Sequence, residues 1–149
     1  DLNIEMKPAG GNTERLVDAV LELIEEYDFE NQCVLTSTNY DALVAVKERN
    51  EKLQTGLILS VMYRKLYERE GIDFFSVKSD FISQATVDRI HENGRQVHVW
   101  AVDDRKELSR MQSLGVDNVI TNDVILARTI YGQGEESTLF EILRTILSR

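Results

Sequence analysis

The sequence predicts an α/β protein built as part of a (β/α)8 barrel, with about six parallel strands alternating with helices and a final C-terminal helix. Three observations predict it. Short apolar runs rich in Val, Ile, Phe and Thr alternate with amphipathic stretches; the first suit a pleated buried surface, the second a helix with one apolar face. Strand followed by helix recurs roughly every twenty residues with short connections, the pattern of right-handed βαβ units and a parallel sheet. Polar residues stand at the C-terminal ends of several strands, where barrels carry their sites. The competing architecture is an open doubly wound sheet. A nucleotide binder of that kind carries a Gly-rich turn after its first strand, and Pro8-Ala9-Gly10-Gly11 matches neither GxGxxG nor GxxxxGK[ST]. Regular unit length favours the barrel.

Six runs read as strands: Asn3–Lys7, Cys33–Thr38, Gly56–Val61, Phe74–Lys78, Gln96–Val102 and Asn118–Thr121. The first helix is expected over Thr13–Glu26, with Leu16, Val17, Val20, Leu23 and Ile24 on one stripe and Asn12 as its N-cap. Leu43 and Val46 mark a second over Asp41–Glu48. A short helix from about Met62 to Glu70 stops at Gly71, which suits the left-handed position after a helix. Ser83 caps Gln84–Asn93, with Val87 and Ile90 inward and Gly94 as the stop. Asp104 caps a helix carrying Leu108, Met111 and Leu114, which Gly115 ends. Val124, Ala127 and Ile130 supply the next stripe. Residues 1–131 thus form the barrel portion, and 132–149 a linker with the amphipathic helix Ser137–Ser148.

A length of 149 residues suffices for one domain with a real core. The formal net charge of −9 argues against a nucleic acid partner, because phosphate backbones are bound by basic surfaces. It leaves a phosphate-bearing small molecule open, since one Lys or a bound cation can hold it. Cys33 is the only cysteine, so no intramolecular disulfide or thiolate metal site forms, and its apolar run makes it a small buried residue. No apolar run approaches the roughly 20 residues that span a bilayer. The chain opens at Asp1, without Met, inside a predicted strand. A trimmed portion of a longer parent is therefore expected, and a membrane attachment would belong to that parent.

Two segments carry the candidate chemistry. In Ile4-Glu5-Met6-Lys7, strand alternation puts Glu5 and Lys7 on one side and Ile4 and Met6 on the other. This reads either as an ion pair at a strand end, or as a carboxylate for a divalent cation beside an ammonium for a phosphate oxygen. Oxygen ligation suits Ca2+ or Mg2+. In His98-Val99-Trp100-Ala101-Val102-Asp103, His98 and Trp100 share one face, and Val97, Val99 and Ala101 the other. Trp100 then lies near the mouth of the barrel and His98 near its middle, as a hydrogen-bonded interior residue. His91 reads as a charge at a helix C-terminus or a solvated position. Gly115-Val116-Asp117-Asn118-Val119-Ile120-Thr121-Asn122-Asp123 reads as a helix stop, a short strand and the cap of the next helix.

In order and spacing these segments resemble one family. Leu2-Asn3-Ile4-Glu5-Met6-Lys7 is similar to the "L-N-I-E-I-K" strand of the glycerophosphodiester phosphodiesterases. Trp100-Ala101-Val102-Asp103 resembles their "W-T-V-N", and Gly115–Asn122 their "G-V-D-G-I-I-T-D". Thr55-Gly56-Leu57-Ile58-Leu59 and Asp73-Phe74-Phe75-Ser76-Val77 resemble segments of the family's bacterial membrane-attached branch. The likeness runs to Tyr131. It implies a TIM barrel that hydrolyses glycerophosphodiesters to glycerol 3-phosphate and an alcohol, using a divalent cation and two histidines as acid and base. Carried over, Glu5 is a metal ligand, Lys7 a phosphate contact and Trp100 a wall of the substrate pocket.

The family's "H-R-G", its "E-x-D" metal pair and the histidine of its "H-D" have no match here, so no catalytic residue is assigned. Thr36-Ser37-Thr38-Asn39-Tyr40 stands where relatives have "S-S-F", and Ala101 replaces a Thr. Two expectations follow. One is the C-terminal portion of a phosphodiesterase, inactive alone, binding cations weakly and self-associating through open barrel edges. The other is a short non-catalytic binding or assembly module that reuses the half-barrel.

Overall fold

The computed structural model describes residues 2–60 and 66–132. Six strands, β1 (Leu2–Glu5), β2 (Cys33–Ser37), β3 (Gln54–Leu59), β4 (Phe74–Lys78), β5 (Gln96–Trp100) and β6 (Asn118–Val119), pair in parallel in the order β1-β2-β3-β4-β5-β6. Helices α1 (Thr13–Glu26), α2 (Tyr40–Arg49), α3 (Gln84–Glu92), α4 (Arg105–Leu114) and α5 (124–132) connect or follow them. Sequential order without a reversal is barrel topology, not doubly wound topology, which has a switch point. The sheet curls. One cavity takes lining from Asn3 on β1 and from Ile120 just past β6, so the two edges of the sheet face the same space.

Strand alternation divides the sheet cleanly. Leu35, Leu57, Phe75, Val77, Val97 and Val99 point outward and are almost wholly buried against the helices, beside Val17, Leu43, Val46, Ile90, Leu108 and Met111. Burial of such side chains is worth roughly 1.5–3 kcal/mol each relative to exposure. The inner face includes Asn3, Glu5, Thr36, Gly56, Ile58, Phe74, Ser76, Lys78, His98 and Trp100, by the register of the four strand pairs from β1 to β5. Cys33 is buried, and burial raises its thiol pKa, with Glu30 adding to the effect.

Caps form where short polar side chains precede helices. Asn39 accepts from the Ala42 amide, Ser83 from Thr86 and Asp104 from Glu107. Gly115 takes the left-handed conformation that ends α4, with φ +72°. Asn12 precedes α1 without capping it. Its Oδ1 instead accepts from the Ala9 amide at 2.8 Å, because the chain doubles back through Gly10 and Gly11 at positive φ. Leu23, expected on the buried stripe of α1, is 55% exposed; it borders an apolar groove with Leu2, Ile4, Val20, Tyr27 and Phe29.

Several strands are shorter than their apolar runs. β1 ends at Glu5, β5 at Trp100 and β6 at Val119. Ala101 is consequently exposed and lines the cavity, where alternation alone puts it outside among the valines. Two short 3-10 turns, Glu30–Gln32 and Ser79–Phe81, were not expected. Of the helix expected over Met62–Glu70, residues 62–65 lie outside the described residues, as does Val61 of the expected third strand; Leu66–Glu68 form a 3-10 turn and Gly71 has φ +68°. The predicted helix Ser137–Ser148 also lies outside them. Among the described residues no helix is long and apolar enough to cross a membrane.

Candidate active site

The curled sheet encloses, at the C-terminal ends of its strands, a cavity of about 380 Å³ lined by Asn3, Glu5, Thr36, Ile58, Ser76, Trp100, Ala101 and Ile120. Glu5 is the last residue of β1, and among the described residues its carboxylate is the only one in this lining. Lys7, two residues on, places its ammonium 3.2 Å from Glu5 Oε2, with both side chains well exposed. Such an exposed pair is weak, typically below about 1 kcal/mol. Both partners can therefore exchange each other for a cation and an anion. Asn3 Oδ1 accepts from the Thr36 hydroxyl at 2.7 Å, which fixes the wall beside Glu5.

Opposite β1, Trp100 closes β5. Its indole Nε1 donates to the Ser76 carbonyl at 3.1 Å, which holds the ring against the inner face of β4. The Trp100–Ala101 peptide bond is cis. Behind it the chain is fastened by Asp103, which accepts from the Asn122 amide at 2.7 Å, the Asn122 side chain at 2.8 Å and the Thr121 hydroxyl at 3.2 Å. The Asn122 backbone N–H, then its side-chain amide, hold the Asp103 carboxyl below its ordinary pKa. Asp123 caps α5 through the Leu126 amide. The Thr121-Asn122-Asp123 segment is thus both the expected cap and an anchor for the turn after Trp100.

The floor of the interior is closely packed. Phe74 lies across Gly56, where a Cβ would stand 2.1 Å from the ring, and stacks on His98 with ring centroids 3.9 Å apart. His98 is 8% exposed, and its contact with Gln96 Oε1 is long, at 3.4 Å. Burial lowers its pKa, against a smaller opposite pull from Asp117. It is an interior residue below the cavity, as its place two residues before the strand end implies. His91 is not merely solvated: its Nε2 lies 2.8 Å from Asp117 Oδ2, on the side of the sheet away from the mouth.

Glu5 and Trp100 thus share one cavity, Lys7 stands at its edge, and neither histidine reaches it. The oxygen donors present suit a hard cation in kind, but among the described residues no group of three or more His, Cys, Asp or Glu converges. Glu5 fits as one ligand of a set, not as a site by itself. Sequence reasoning overlooked Asn3, Thr36, Ser76 and Lys78, all of which share the inward parity of Glu5 or Trp100 on their strands; that alternation was the available signal.

The profile of the glycerophosphoryl diester phosphodiesterase family matches residues 1–126. A glycerophosphodiester phosphodiesterase of Caldanaerobacter subterraneus is 27% identical over 126 residues, covering 82% of this chain and 51% of that protein. Among solved structures, an Oleispira antarctica phosphodiesterase in complex with the product sn-glycerol-3-phosphate superposes with a TM-score of 0.76 at 21% identity, over 87% of this chain and 53% of that one. A glycerophosphodiester phosphodiesterase of Parabacteroides distasonis gives 0.74 at 15% identity, over 89% and 57%. The two superpositions show the fold, and the chain spans about half the length of these relatives. With its profile matched from the first strand to α5, this chain belongs to the glycerophosphoryl diester phosphodiesterase family.

Proposed function

We propose that this chain is the C-terminal portion of a barrel whose full-length protein hydrolyses glycerophosphodiesters to glycerol 3-phosphate and an alcohol. The observation that carries the reading is that Glu5 and Trp100, from strands four apart in the sheet, line one cavity at the C-terminal ends of the strands. Family membership supplies the reaction class, and the glycerol 3-phosphate held by the Oleispira protein is consistent with it.

The roles follow from charge and position. The Lys7 ammonium meets a phosphate oxygen as a point charge. Glu5 contributes one carboxylate to a divalent cation, Ca2+ or Mg2+. When bound, such a cation polarises a phosphoryl oxygen as a Lewis acid. Trp100, fixed by its bond to the Ser76 carbonyl, walls the pocket and presents a flat apolar face to the glycerol carbons.

Acid and base are the missing parts. General acid–base catalysis needs a group within hydrogen-bond reach of the moving proton, and His91 and His98 lie away from the cavity. The isolated chain is therefore inactive and binds divalent cations weakly. Its β1 strand, at the edge of the sheet and unpaired on that side among the described residues, lies beside the apolar groove of Leu2, Leu23 and Tyr27 and favours association with a second copy. The test is a hydrolysis assay of glycerophosphodiesters with both proteins. The reading expects cation-dependent turnover by the full-length protein and none by the isolated chain. Failure of the full-length protein to hydrolyse any glycerophosphodiester overturns it, and turnover by the purified chain overturns the division of labour. Sedimentation velocity that finds only monomer at every concentration contradicts the self-association.

A further inference from the structure

Two lysine–carboxylate pairs of the same spacing stand at the C-terminal ends of strands whose residues line the cavity. The first is Glu5 with Lys7 on β1. The second is Lys78 with Asp80, Nζ to Oδ2 2.5 Å, at the end of β4. Lys78 has the inward parity of Ser76, which lines the cavity, and lies one inward step closer to the mouth. In the sheet register its partner is Trp100. Its side chain is 44% exposed, and its ammonium lies 6.0 Å from the ring centre of Phe81, itself 47% exposed. The turn that carries Asp80 and Phe81 is held from behind: Arg110 on α4 donates to the carbonyls of Ser79 at 2.9 Å and Ile82 at 3.2 Å. A fixed turn with an exposed aromatic and a half-exposed cation is unneeded for the core, which closes beneath it on Val77 and Ile82.

We propose that Lys78 is a specificity-determining residue that sorts the leaving alcohol by charge. The inference rests on the phosphodiesterase reading. A diester whose phosphate meets Lys7 and whose glycerol fills the cavity beside Trp100 has its second ester arm left at the rim. Trp100, Lys78 and Phe81 form that rim on the β4 and β5 side. An alcohol bearing an anionic group exchanges Asp80 for itself on the Lys78 ammonium, because an exposed pair costs little to open. A cationic alcohol such as choline meets the same ammonium as a like charge. Asp80 tempers the preference, since it partly neutralises Lys78.

The test compares kcat/KM of the full-length protein for two glycerol phosphodiesters. In one the leaving alcohol carries a second phosphate; in the other it is choline. Lys78→Gln is expected to reduce the ratio of the first to the second by about fivefold, the scale of one exposed charge pair. Lys78→Arg retains the ratio and Asp80→Asn raises it. The selectivity of the wild type shrinks as ionic strength rises, because the charges are solvent-exposed. The half-exposed position of Lys78 spares the core, and equal melting temperatures verify that. Hydrolysis of both diesters with a ratio unchanged by Lys78→Gln overturns this inference alone. Absence of hydrolysis by the wild type overturns the phosphodiesterase reading, and this inference with it.

Discussion

The floor and the mouth of the half-barrel are built on the same strands and the same inward parity, yet they are chemically opposite. At the floor, Gly56, Phe74 and His98 stack so closely that one added carbon on Gly56 would enter the Phe74 ring. At the mouth, further along those strands or just past their ends, Glu5, Lys7, Lys78 and Trp100 are partly or largely exposed, and the charged ones sit in solvent-exposed ion pairs. The comparison teaches that a parallel barrel separates stability from chemistry along the strand axis. Floor residues are expected to move the melting temperature, and mouth residues the reaction.

Phe74→Ala is the largest single break of this division. It removes a fully buried ring that covers Gly56 and His98, and is expected to cost about 3–5 kcal/mol in chemical denaturation. A loss below about 1 kcal/mol would mean that the floor is loosely packed. Gly56→Ala attacks the same contact from the other side by overpacking, for an expected cost of about 1–3 kcal/mol. Combining it with Phe74→Leu should recover part of the loss, because the double variant relieves the clash. Purely additive costs would show that Gly56 serves its own backbone instead.

Asp104→Ala, which removes the cap bond to the Glu107 amide at 2.9 Å, lies outside both regions and is expected to cost about 1 kcal/mol.

The smallest effect sharpens the comparison through pH. Burial places the folded His98 pKa below its ordinary 6.5. The unfolded chain thus binds the proton at a pH where the folded chain does not. His98 leaves stability untouched above about pH 6.5 and lowers it as pH falls from there toward the folded pKa. A His98→Leu variant should show a shallower decline of unfolding free energy between pH 6.5 and 5 than the wild type. Identical slopes would remove His98 from the acid response.

Much of this architecture is legible in the residues, for physical reasons that can be named. Phe74–Lys78 and Thr13–Glu26 emerge with the bounds their patterns predict, because a β-rich run and a periodic stripe each end at polar or Gly-containing turns. Ser83 and Asp104 cap as expected because each has a free amide three residues on. Asn12 fails for the opposite reason: its side chain accepts from the preceding Ala9 amide, which competes successfully with the helix amides. Strand ends at Glu5, Trp100 and Val119 were overrun, since apolarity continues past the point where hydrogen-bond pairing stops. Of the cavity lining, Glu5 and Trp100 were legible as inward-facing positions, because alternation along their strands sets that side. Lys78 was not, because a lysine at a strand end is ordinary until the register puts it beside Trp100.

The division between floor and mouth is tested most directly at Glu5. Glu5→Gln keeps the shape of the side chain and removes the charge that holds Lys7 and, in the proposed reaction, the cation. In the full-length protein, unfolding free energy and cation-dependent hydrolysis of a glycerophosphodiester are to be measured on the same preparation. The account predicts a stability within about 0.5 kcal/mol of wild type, as for a surface substitution, with turnover reduced by about a hundredfold or more, the scale of several kcal/mol of charge stabilisation supplied through a metal site. Wild-type turnover in Glu5→Gln, or a loss of turnover that merely follows a loss of stability, would contradict it.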